Sequence, residues 1–249
     1  MKISVVTAVY NRAGTIREAM ESVQSQTFAN VEHIIQDGGS SDGTLDVVRE
    51  LAGDATSLVS ERDEGIYDAI NRGIGRASGD VVGLMHSDDL FASPTVLEKV
   101  AARFADPAID AVYGDLQYVA ASDPGKVIRY WRAGEFAPGR LRQGWMPPHP
   151  TFYIRRKVFE RYGLYDTSLQ IAADYDAMLR YLTHGQIKTA YVSEVLVKMR
   201  MGGESNRSLE RILRKSREDL LAIRRNGIGG PSVLFQKNLR KLGQFFLKD

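Results

Sequence analysis

Two acidic turns in this chain each come directly after an apolar run of the kind that forms a buried strand. Asp37 follows VEHIIQ, and the pair Asp88 and Asp89 follows GDVVGLMHS. An earlier run, ISVVTAV, contains Thr7 and is followed by Tyr10. In an open α/β sheet, ligands bind in the crevice beyond the carboxyl ends of the strands. The three strand ends therefore predict one polar pocket, of a kind suited to a nucleotide sugar.

Strand and helix patterns alternate along the first half of the chain. The patterns predict strands near residues 2–7, 31–36, 57–60, 80–85 and 110–118. They predict helices near residues 13–26, 42–52, 66–77 and 94–104. Such alternation is typical of βαβ units and a mostly parallel sheet. Ile16, Met20 and Val23 recur at helical spacing and are predicted to face the core.

The pattern loosens from about Gly125 to the run PPHP at residues 147–150. We interpret this stretch as loop and place acceptor recognition in it, because long loops in compact domains often bind ligands. Regular structure then resumes. The predicted elements are a strand at TFYIR, a helix near 156–162, a helix beginning near Ala173, a strand near 187–200, and two amphipathic helices separated by residues 226–231.

The composition fits one compact α/β domain. The chain has 249 residues, enough for a substantial core, and its apolar and charged fractions are ordinary. It contains no cysteine, which excludes a disulfide, a thiolate nucleophile and a cysteine metal site. Asn11 and Arg12 break the short N-terminal apolar run, so we interpret it as the first strand rather than a signal peptide. No segment reaches the about 18 uninterrupted apolar residues of a membrane-spanning helix.

Four segments, taken in order, resemble one known family. They are VVTAVYNRAGTIREAMESVQSQTF, DGGSSDGT, SERDEGIYDAINRGI, and the SDD at residues 87–89, a version of the DXD metal motif. From Met1 to about Ala120 the chain is similar to family 2 glycosyltransferases of the GT-A fold. The resemblance implies an α/β fold with a single Rossmann-like domain that binds a nucleotide sugar on a mostly parallel central sheet, followed by C-terminal amphipathic helices.

The resemblance also divides the chain. Residues 1–204 form the expected GT-A catalytic domain, with a nucleotide-sugar-binding half over 1–120 and an acceptor-binding half over 121–204. Residues 205–249 form a basic helical extension. Within it, residues 207–249 hold eleven Lys or Arg against four Asp or Glu, although the whole chain has a net charge of only +2. This uneven charge predicts an anionic partner, with a solvated helix face as the alternative.

The resemblance assigns the donor site to residues near the strand ends. Asp37 would hydrogen-bond the nucleobase, and Thr7 and Tyr10 would line the same pocket, with the ring of Tyr10 against the base. Asp63, in SERDEG, would face the ribose or the diphosphate. Arg200, which lies just before GGESNR, would belong to a mobile flap whose guanidinium groups reach the diphosphate.

The diacidic turn predicts a divalent cation, Mn²⁺ or Mg²⁺. Both ions prefer hard oxygen ligands, and phosphates and water complete the coordination. By resemblance Asp89 is the direct ligand and Asp88 contacts the ribose or a metal-bound water; the reverse assignment and a helix N-cap are the alternatives. His149 is a third candidate ligand, with packing or hydrogen bonding in the acceptor loop as its alternative.

The acceptor hydroxyl loses its proton as it attacks, and a nearby carboxylate can accept that proton. Members of the family generally supply the carboxylate from a Glu-Asp pair at the start of a helix. The corresponding stretch here, IAADYDAMLRY, has Ala173 in place of the glutamate and keeps Asp174 and Asp176. We assign Asp174 as the base by resemblance, with Asp176 as its substitute. The alternative is that the two acids only favour a helix start.

These features predict an inverting, metal-dependent glycosyltransferase, with inversion implied by the family. A sugar-phosphate nucleotidyltransferase is a second hypothesis, but VVTAVYNRAGT lacks the glycine cluster of its phosphate loop. The missing glutamate leaves a third hypothesis open, an inactive module that binds a nucleotide sugar or a glycan. The expected partners are a nucleotide-diphosphate sugar and a glycan or polyprenyl-diphosphate-linked acceptor of bacterial surface polysaccharide synthesis, and no nucleic acid.

The last predicted helix has two unlike faces on a helical projection. The apolar face holds Leu234, Phe235, Leu239, Leu242, Phe245 and Phe246. The basic face holds Lys237, Arg240, Lys241 and Lys248. This pattern is typical of an interfacial helix and predicts a cytoplasmic protein held peripherally at the inner face of the cell membrane, against anionic lipid. The alternative is that the apolar stripe packs on the catalytic domain or on the second subunit of a homodimer.

Overall fold

The structure is a computed structural model that describes residues 1–201 and 209–244. Its strands are β1 (Ile3–Val9), β2 (Val31–Asp37), β3 (Thr56–Ser60), β4 (Val81–Leu84), β5 (Leu90–Phe91), β6 (Ala111–Ala120), β7 (Asp123–Trp131), β8 (Tyr153–Arg155) and β9 (Thr189–Arg200). Its helices are α1 (Ile16–Gln24), α2 (Thr44–Leu51), α3 (Ile66–Gly75), α4 (Val96–Arg103), α5 (Pro138–Leu141), α6 (Arg156–Tyr162), α7 (Ala173–Thr183), α8 (Leu209–Arg225) and α9 (Pro231–Gly243). The predicted flap residues of GGESNR, and Phe245, Phe246 and Lys248, lie outside the described residues.

The described strands form one sheet in the order β3-β2-β1-β4-β8-β6-β9-β5, with β7 paired to the edge of β6. The pairs β1–β2, β1–β4, β2–β3 and β6–β9 are parallel, whereas β8, β5 and β7 run antiparallel to their neighbours. Six of the strands therefore point the same way. The predicted mostly parallel α/β sheet is confirmed.

Helices cover both faces of the sheet, which explains why β1 is buried along its whole length. Val6 and Ala8 belong to one apolar cluster, which contains residues of α3 and α7. Ile3 and Val5, on the opposite face of the strand, belong to a second cluster with residues of α1 and α4. A Cβ on Gly73 would collide with Val6, so glycine at this position lets α3 lie directly on β1.

The helix and strand spacing of the first half is confirmed, and Ile16, Met20 and Val23 are buried as predicted. The interpretation of residues from Gly125 onward as loop is wrong for β7, which forms a hairpin with β6 and pairs Leu116 with Trp131. Most of β7 is exposed, so its side chains lack the alternation that a half-buried strand shows. The pairing with β6, rather than a buried face, makes this segment a strand.

The two C-terminal helices pack on the body of the protein. Ala222 of α8 and Val233 of α9 are buried in the same apolar cluster as Tyr175 of α7. Lys237 is also buried; its Nζ lies 2.7 Å from Oδ1 of Asp219 and 3.4 Å from the ring centroid of Tyr175. The predicted placement of Lys237 on an outer basic face is therefore wrong, because a buried carboxylate and an aromatic ring attract the ammonium inward. Burial lowers the pKa of Lys237, although Asp219 opposes the shift.

Leu234 is only partly buried, whereas Phe235 and Leu239 are 68% and 54% exposed. The predicted apolar stripe of α9 is therefore divided between the protein and the solvent. Within the described residues, no helix combines the length and the apolar character needed to cross a membrane. The expected boundary at residues 204 and 205 falls in the segment that the structure does not describe.

Candidate active site

The turn after β2 is held by the carboxylate of Asp37, which is fully buried. Its Oδ2 accepts hydrogen bonds from the backbone N–H groups of Gly39 and Ser40 and from the hydroxyl of Ser60. Its Oδ1 accepts from the hydroxyl of Ser40. Both oxygens thus stabilise the turn. The nucleobase contact assigned to Asp37 stays a prediction that this placement does not support.

Asp63 lies directly over the same turn. A Cβ on Gly38 would collide with Oδ2 of Asp63, so the carboxylate fills the space that a side chain at position 38 would take. The N–H of Gly65 donates to Oδ1 of Asp63 at 2.9 Å and fixes its orientation. The structure therefore brings Asp63 and Asp37 together, although only Asp63 keeps part of its surface open to solvent.

Tyr10 stands beside this turn with 58% of its surface exposed. The next residue, Asn11, accepts a hydrogen bond from the N–H of Ser41 and donates its own N–H to the hydroxyl of Ser40. Asn11 has a φ of 50°, a value that asparagine adopts more readily than most residues. The ring of Tyr10 is thus presented at the end of β1, where a planar base could stack on it.

Thr7 does not line this pocket. It is fully buried in β1, and its hydroxyl lies 2.9 Å from Nε2 of His33. Burial lowers the pKa of His33 to about 4, so the imidazole is neutral at pH 7 and pairs with the hydroxyl as an uncharged group. The assignment of Thr7 to the donor site stays a prediction that its burial does not support.

Asp88 and Asp89 lie in the loop that follows β4. Asp89 is 1% exposed; its Oδ1 accepts the backbone N–H of Arg200 at 3.1 Å, and its Oδ2 is buried without a hydrogen-bond partner. Burial, reinforced by the charge of Asp88, raises the pKa of Asp89 well above its usual range. A buried carboxylate oxygen without a donor is costly, and a cation would supply the missing partner. The diacidic turn therefore fits a divalent cation.

No three His, Asp or Glu side chains within residues 1–201 and 209–244 converge in an arrangement that could hold a metal ion. A cation at Asp89 would therefore need further ligands that are not His, Asp or Glu side chains. Phosphate oxygens of a donor and water can supply them. His149 is not drawn into a metal cluster. Its Nε2 lies 3.0 Å from the hydroxyl of Tyr165, and its Nδ1 lies 3.6 Å from Oδ2 of Asp174. This placement matches the alternative of hydrogen bonding in the acceptor loop, and the metal role of His149 stays a prediction.

Arg200 joins three elements around the diacidic turn. Its backbone N–H binds Asp89, and its guanidinium pairs with Glu18 of α1 at 2.5 Å and donates to the carbonyl oxygen of Asp88 at 3.4 Å. The side chain is buried. In this arrangement Arg200 supports the loop that carries the two aspartates, and its predicted contact with a diphosphate stays a prediction.

Asp174 lies in the first turn of α7, with its side chain 24% exposed. The single hydroxyl proton of Tyr67 is shared between two acceptors, Oδ1 of Asp174 at 3.1 Å and the carbonyl oxygen of Ile171 at 2.8 Å. His149 approaches the other carboxylate oxygen, and burial lowers the pKa of its imidazole to about 4. Two uncharged groups, the Tyr67 hydroxyl and the His149 imidazole, therefore orient Asp174. Its carboxylate is still partly exposed, so an acceptor hydroxyl could reach it.

Asp176 faces away from these groups. Its Oδ1 accepts from Nδ2 of Asn226, the residue after α8, at 3.1 Å, and its Oδ2 lies 3.9 Å from Arg180. The side chain is buried against α8. Of the two candidate bases, the placement favours Asp174, and the substitute role of Asp176 stays a prediction without support from this geometry.

Two side chains connect the diacidic turn with Asp174. Burial lowers the pKa of His86, and the carboxylates of Asp88 and Asp174 both oppose that shift. Burial raises the pKa of Tyr118, and Asp89 and Asp174 both add to the rise. The ring of His86 also lies 5.9 Å from the ring of His149. The N–H of Asp89 donates to the carbonyl oxygen of His86 at 3.1 Å, and His149 approaches Asp174, so His86 and His149 link the diacidic turn to the candidate base.

Sequence reasoning missed Tyr67, His86 and Tyr118 as members of this site. Tyr67 stands in SERDEGIYDAINRGI and His86 stands next to SDD, so both belong to the segments that carry the family resemblance. Their place in these segments is the sequence feature that could have identified them. Tyr118 has no such signal, because it stands on β6, outside the four segments that carry the resemblance.

Comparison with known proteins identifies the family. The chain matches the family model Glycosyl transferase family 2 over residues 4–163. It belongs to glycosyl transferase family 2. It is 28% identical over 208 residues to the PGL/p-HBAD biosynthesis glycosyltransferase of Mycobacterium bovis, an alignment that covers 82% of this chain and 78% of that one. It is 31% identical over 184 residues to an uncharacterized glycosyltransferase of Mycobacterium tuberculosis, with 72% and 68% covered.

Solved structures show the same fold. The mannosyltransferase PcManGT from Pyrobaculum calidifontis, in complex with GDP-Man and Mn²⁺, matches with a TM-score of 0.68 at 20% identity, covering 99% of this chain and 70% of that one. S. aureus TarS 1-349, in complex with UDP-GlcNAc, matches with a TM-score of 0.68 at 19% identity, covering 99% and 72%. The predicted GT-A fold is confirmed.

Proposed function

We propose that this protein is an inverting, metal-dependent glycosyltransferase. It moves a sugar from a nucleotide-diphosphate donor to a hydroxyl of a glycan or a lipid-linked glycan in bacterial surface polysaccharide synthesis. The observation that carries the proposal is the buried, incompletely bonded carboxylate of Asp89 on a turn that His86 and His149 link to the partly exposed carboxylate of Asp174. One site thus offers a cation ligand and a proton acceptor.

The donor nucleotide binds at the ends of β1 and β2 in this proposal. The exposed ring of Tyr10 stacks on the base, and Asp63 accepts hydrogen bonds from the base or the ribose. Asp37 contributes by holding the turn on which Asp63 rests. Two solved structures of the same fold contain GDP-Man and UDP-GlcNAc. They support a nucleotide sugar as the donor of this protein.

Asp89 and Asp88 would hold Mn²⁺ or Mg²⁺ together with the donor phosphates. When bound, the cation neutralises charge that develops on the departing diphosphate. The Mn²⁺ in the PcManGT complex supports this choice of cofactor. Arg200 maintains the position of Asp89 through its backbone N–H.

The transfer is a single displacement at the anomeric carbon. The acceptor oxygen forms the new bond to that carbon while the bond to the diphosphate oxygen breaks, and its electron pair leaves with the nucleoside diphosphate. The acceptor proton passes to the carboxylate of Asp174. The hydroxyl of Tyr67 keeps Asp174 in place. Attack opposite the leaving group inverts the anomeric configuration.

Hydrolysis of a panel of nucleotide sugars with Mn²⁺ tests the proposed class. We expect at least one member of a panel that includes UDP-GlcNAc and GDP-Man to give nucleoside diphosphate and free sugar, because water can replace a missing acceptor. Formation of nucleoside triphosphate and sugar phosphate on addition of pyrophosphate would instead identify a nucleotidyltransferase. Donor binding by calorimetry without turnover of any member would identify an inactive binding module.

We also propose that the protein is cytoplasmic and touches the inner face of the cell membrane through the outer face of α9. Phe235 and Leu239 are one helical turn apart and both are exposed. Arg240 follows Leu239 in the chain and is also exposed, while its guanidinium donates to the backbone and side-chain oxygens of Gln143. Apolar side chains with neighbouring cations suit the boundary of an anionic bilayer, where a polyprenyl-linked acceptor would lie.

Vesicle co-sedimentation of the full chain tests the membrane contact. We expect binding to vesicles with phosphatidylserine at low salt, and little binding to phosphatidylcholine alone. Phe235→Ser with Leu239→Ser should lower the bound fraction strongly, whereas truncation of α9 is unsuitable because Lys237 anchors it in the core. Absence of binding by the wild type would refute the contact, and a dimer that dissociates in the double variant would assign the surface to a second copy.

A further inference from the structure

The helix that carries Asp174 begins without a cap of its own. The N-cap residue of α7 is Ala172, which has no side-chain oxygen and makes no side-chain cap hydrogen bond. Serine, threonine, aspartate or asparagine usually supplies that oxygen. Backbone N–H groups near Ala172 would therefore be expected to lack a hydrogen-bond partner.

Glu218 of α8 supplies an oxygen partner from a different element. Its Oε2 accepts the N–H groups of Ile171 at 2.8 Å and of Ala172 at 2.9 Å, and its Oε1 accepts the N–H of Gln170 at 3.2 Å. Three successive backbone donors around one carboxylate form an anion-binding concavity. Hydrogen bonds to an ionised acceptor are stronger than neutral ones. Glu218 therefore fixes the backbone immediately before α7.

The backbone that Glu218 fixes is also tied to the candidate base. The carbonyl oxygen of Ile171 and Oδ1 of Asp174 both face the hydroxyl of Tyr67, at 2.8 and 3.1 Å. A shift of Ile171 would therefore move the hydroxyl that orients Asp174. Asn226, directly after α8, also donates to Asp176 in the first turn of α7.

We infer that Glu218 is a positioning residue for Asp174, so that α8 of the basic extension is a working part of the active site. The inference rests on the proposed function, in which Asp174 accepts the acceptor proton. Glu218 contacts neither the proposed donor groups nor the diacidic turn in the hydrogen bonds of the described chain. Its effect should consequently fall on kcat rather than on donor binding.

The test compares Glu218→Ala, Glu218→Gln and a matched control, Glu160→Gln. Glu160 lies on α6, is 59% exposed and pairs with Arg156 one helical turn away. We expect Glu218→Ala to lower kcat by ~10-fold to ~10²-fold, because a small misplacement of a reacting group costs a factor of this size. Donor affinity should stay within about twofold of the wild type. Glu218→Gln retains one acceptor oxygen and should recover part of the loss. Glu160→Gln should match the wild type.

A double-mutant cycle separates positioning from general destabilisation. When Glu218→Ala is added to Asp174→Asn, kcat should fall by less than about twofold relative to Asp174→Asn alone. The carboxylate that Glu218 positions is already missing in that background. Hydrogen exchange should become faster at residues 170–172 in Glu218→Ala while exchange in the strands of the central sheet stays as in the wild type. Wild-type kcat in Glu218→Ala, or an equal loss in both backgrounds, would overturn the inference. A wild-type chain without turnover of any nucleotide sugar would refute the proposed function itself.

Discussion

Asp89→Asn is expected to lower metal-dependent transfer by ~10³-fold. The amide keeps the size of the carboxylate but removes the charge and one good cation ligand. A Lewis acid contributes several kcal/mol to such a reaction, and about 1.4 kcal/mol corresponds to a factor of ten in rate. The measurement is the initial rate of nucleoside diphosphate release over a titration with Mn²⁺.

The same substitution should leave folding intact. Asp89 is buried with one oxygen unpartnered, and burial already raises its pKa well above the usual range. Burial already disfavours the charged form of this carboxyl group, and the amide oxygen can still accept from Arg200, so the melting temperature should stay equal or rise. Asp54→Asn, at an exposed carboxylate in the loop before β3, is the matched control and should behave as the wild type. If Asp89→Asn kept the wild-type rate with Mn²⁺, or if both proteins kept that full rate in chelator, Asp89 would not be a metal ligand.

The strand ends near Tyr10, Asp37 and Asp89 could be predicted because local patterns determine them. A β-branched run followed by a polar turn gives the strand, and the alternation with helices gives the parallel sheet. The family segments then fix which turns belong to one site. β7 could not be predicted in the same way, because its exposed side chains leave no apolar alternation in the sequence.

The direction in which each acid faces depends on distant partners. Asp37 is turned inward by Ser60 on β3, and Asp89 is fixed by Arg200, which is 111 residues away in the sequence. Lys237 is drawn into the core by Asp219 on a neighbouring helix, although a helical projection of α9 alone places it outside. A sequence pattern gives the face of a helix or the end of a strand. It does not give the side chain across the fold that pairs with a charge.

Asp174→Asn is expected to lower transfer by ~10²-fold or more, since a positioned general base contributes about that factor. Asparagine can still accept the hydrogen bond from Tyr67, so the substitution removes proton acceptance while the local geometry is retained. Donor affinity, measured by calorimetry with Mn²⁺, should change little. The loss should appear in kcat.

Asp176→Asn provides the matched comparison two residues along the same helix. Its carboxylate is buried and lies 3.9 Å from Arg180, so the neutral amide loses that attraction and should lower the melting temperature, although it can still accept from Asn226. Its effect on kcat should be smaller than that of Asp174→Asn, because the side chain faces Asn226 and Arg180 rather than Tyr67 and His149. If Asp176→Asn lost more activity at an unchanged melting temperature, the base would be Asp176, and the orientation of Asp174 by Tyr67 would serve only the fold.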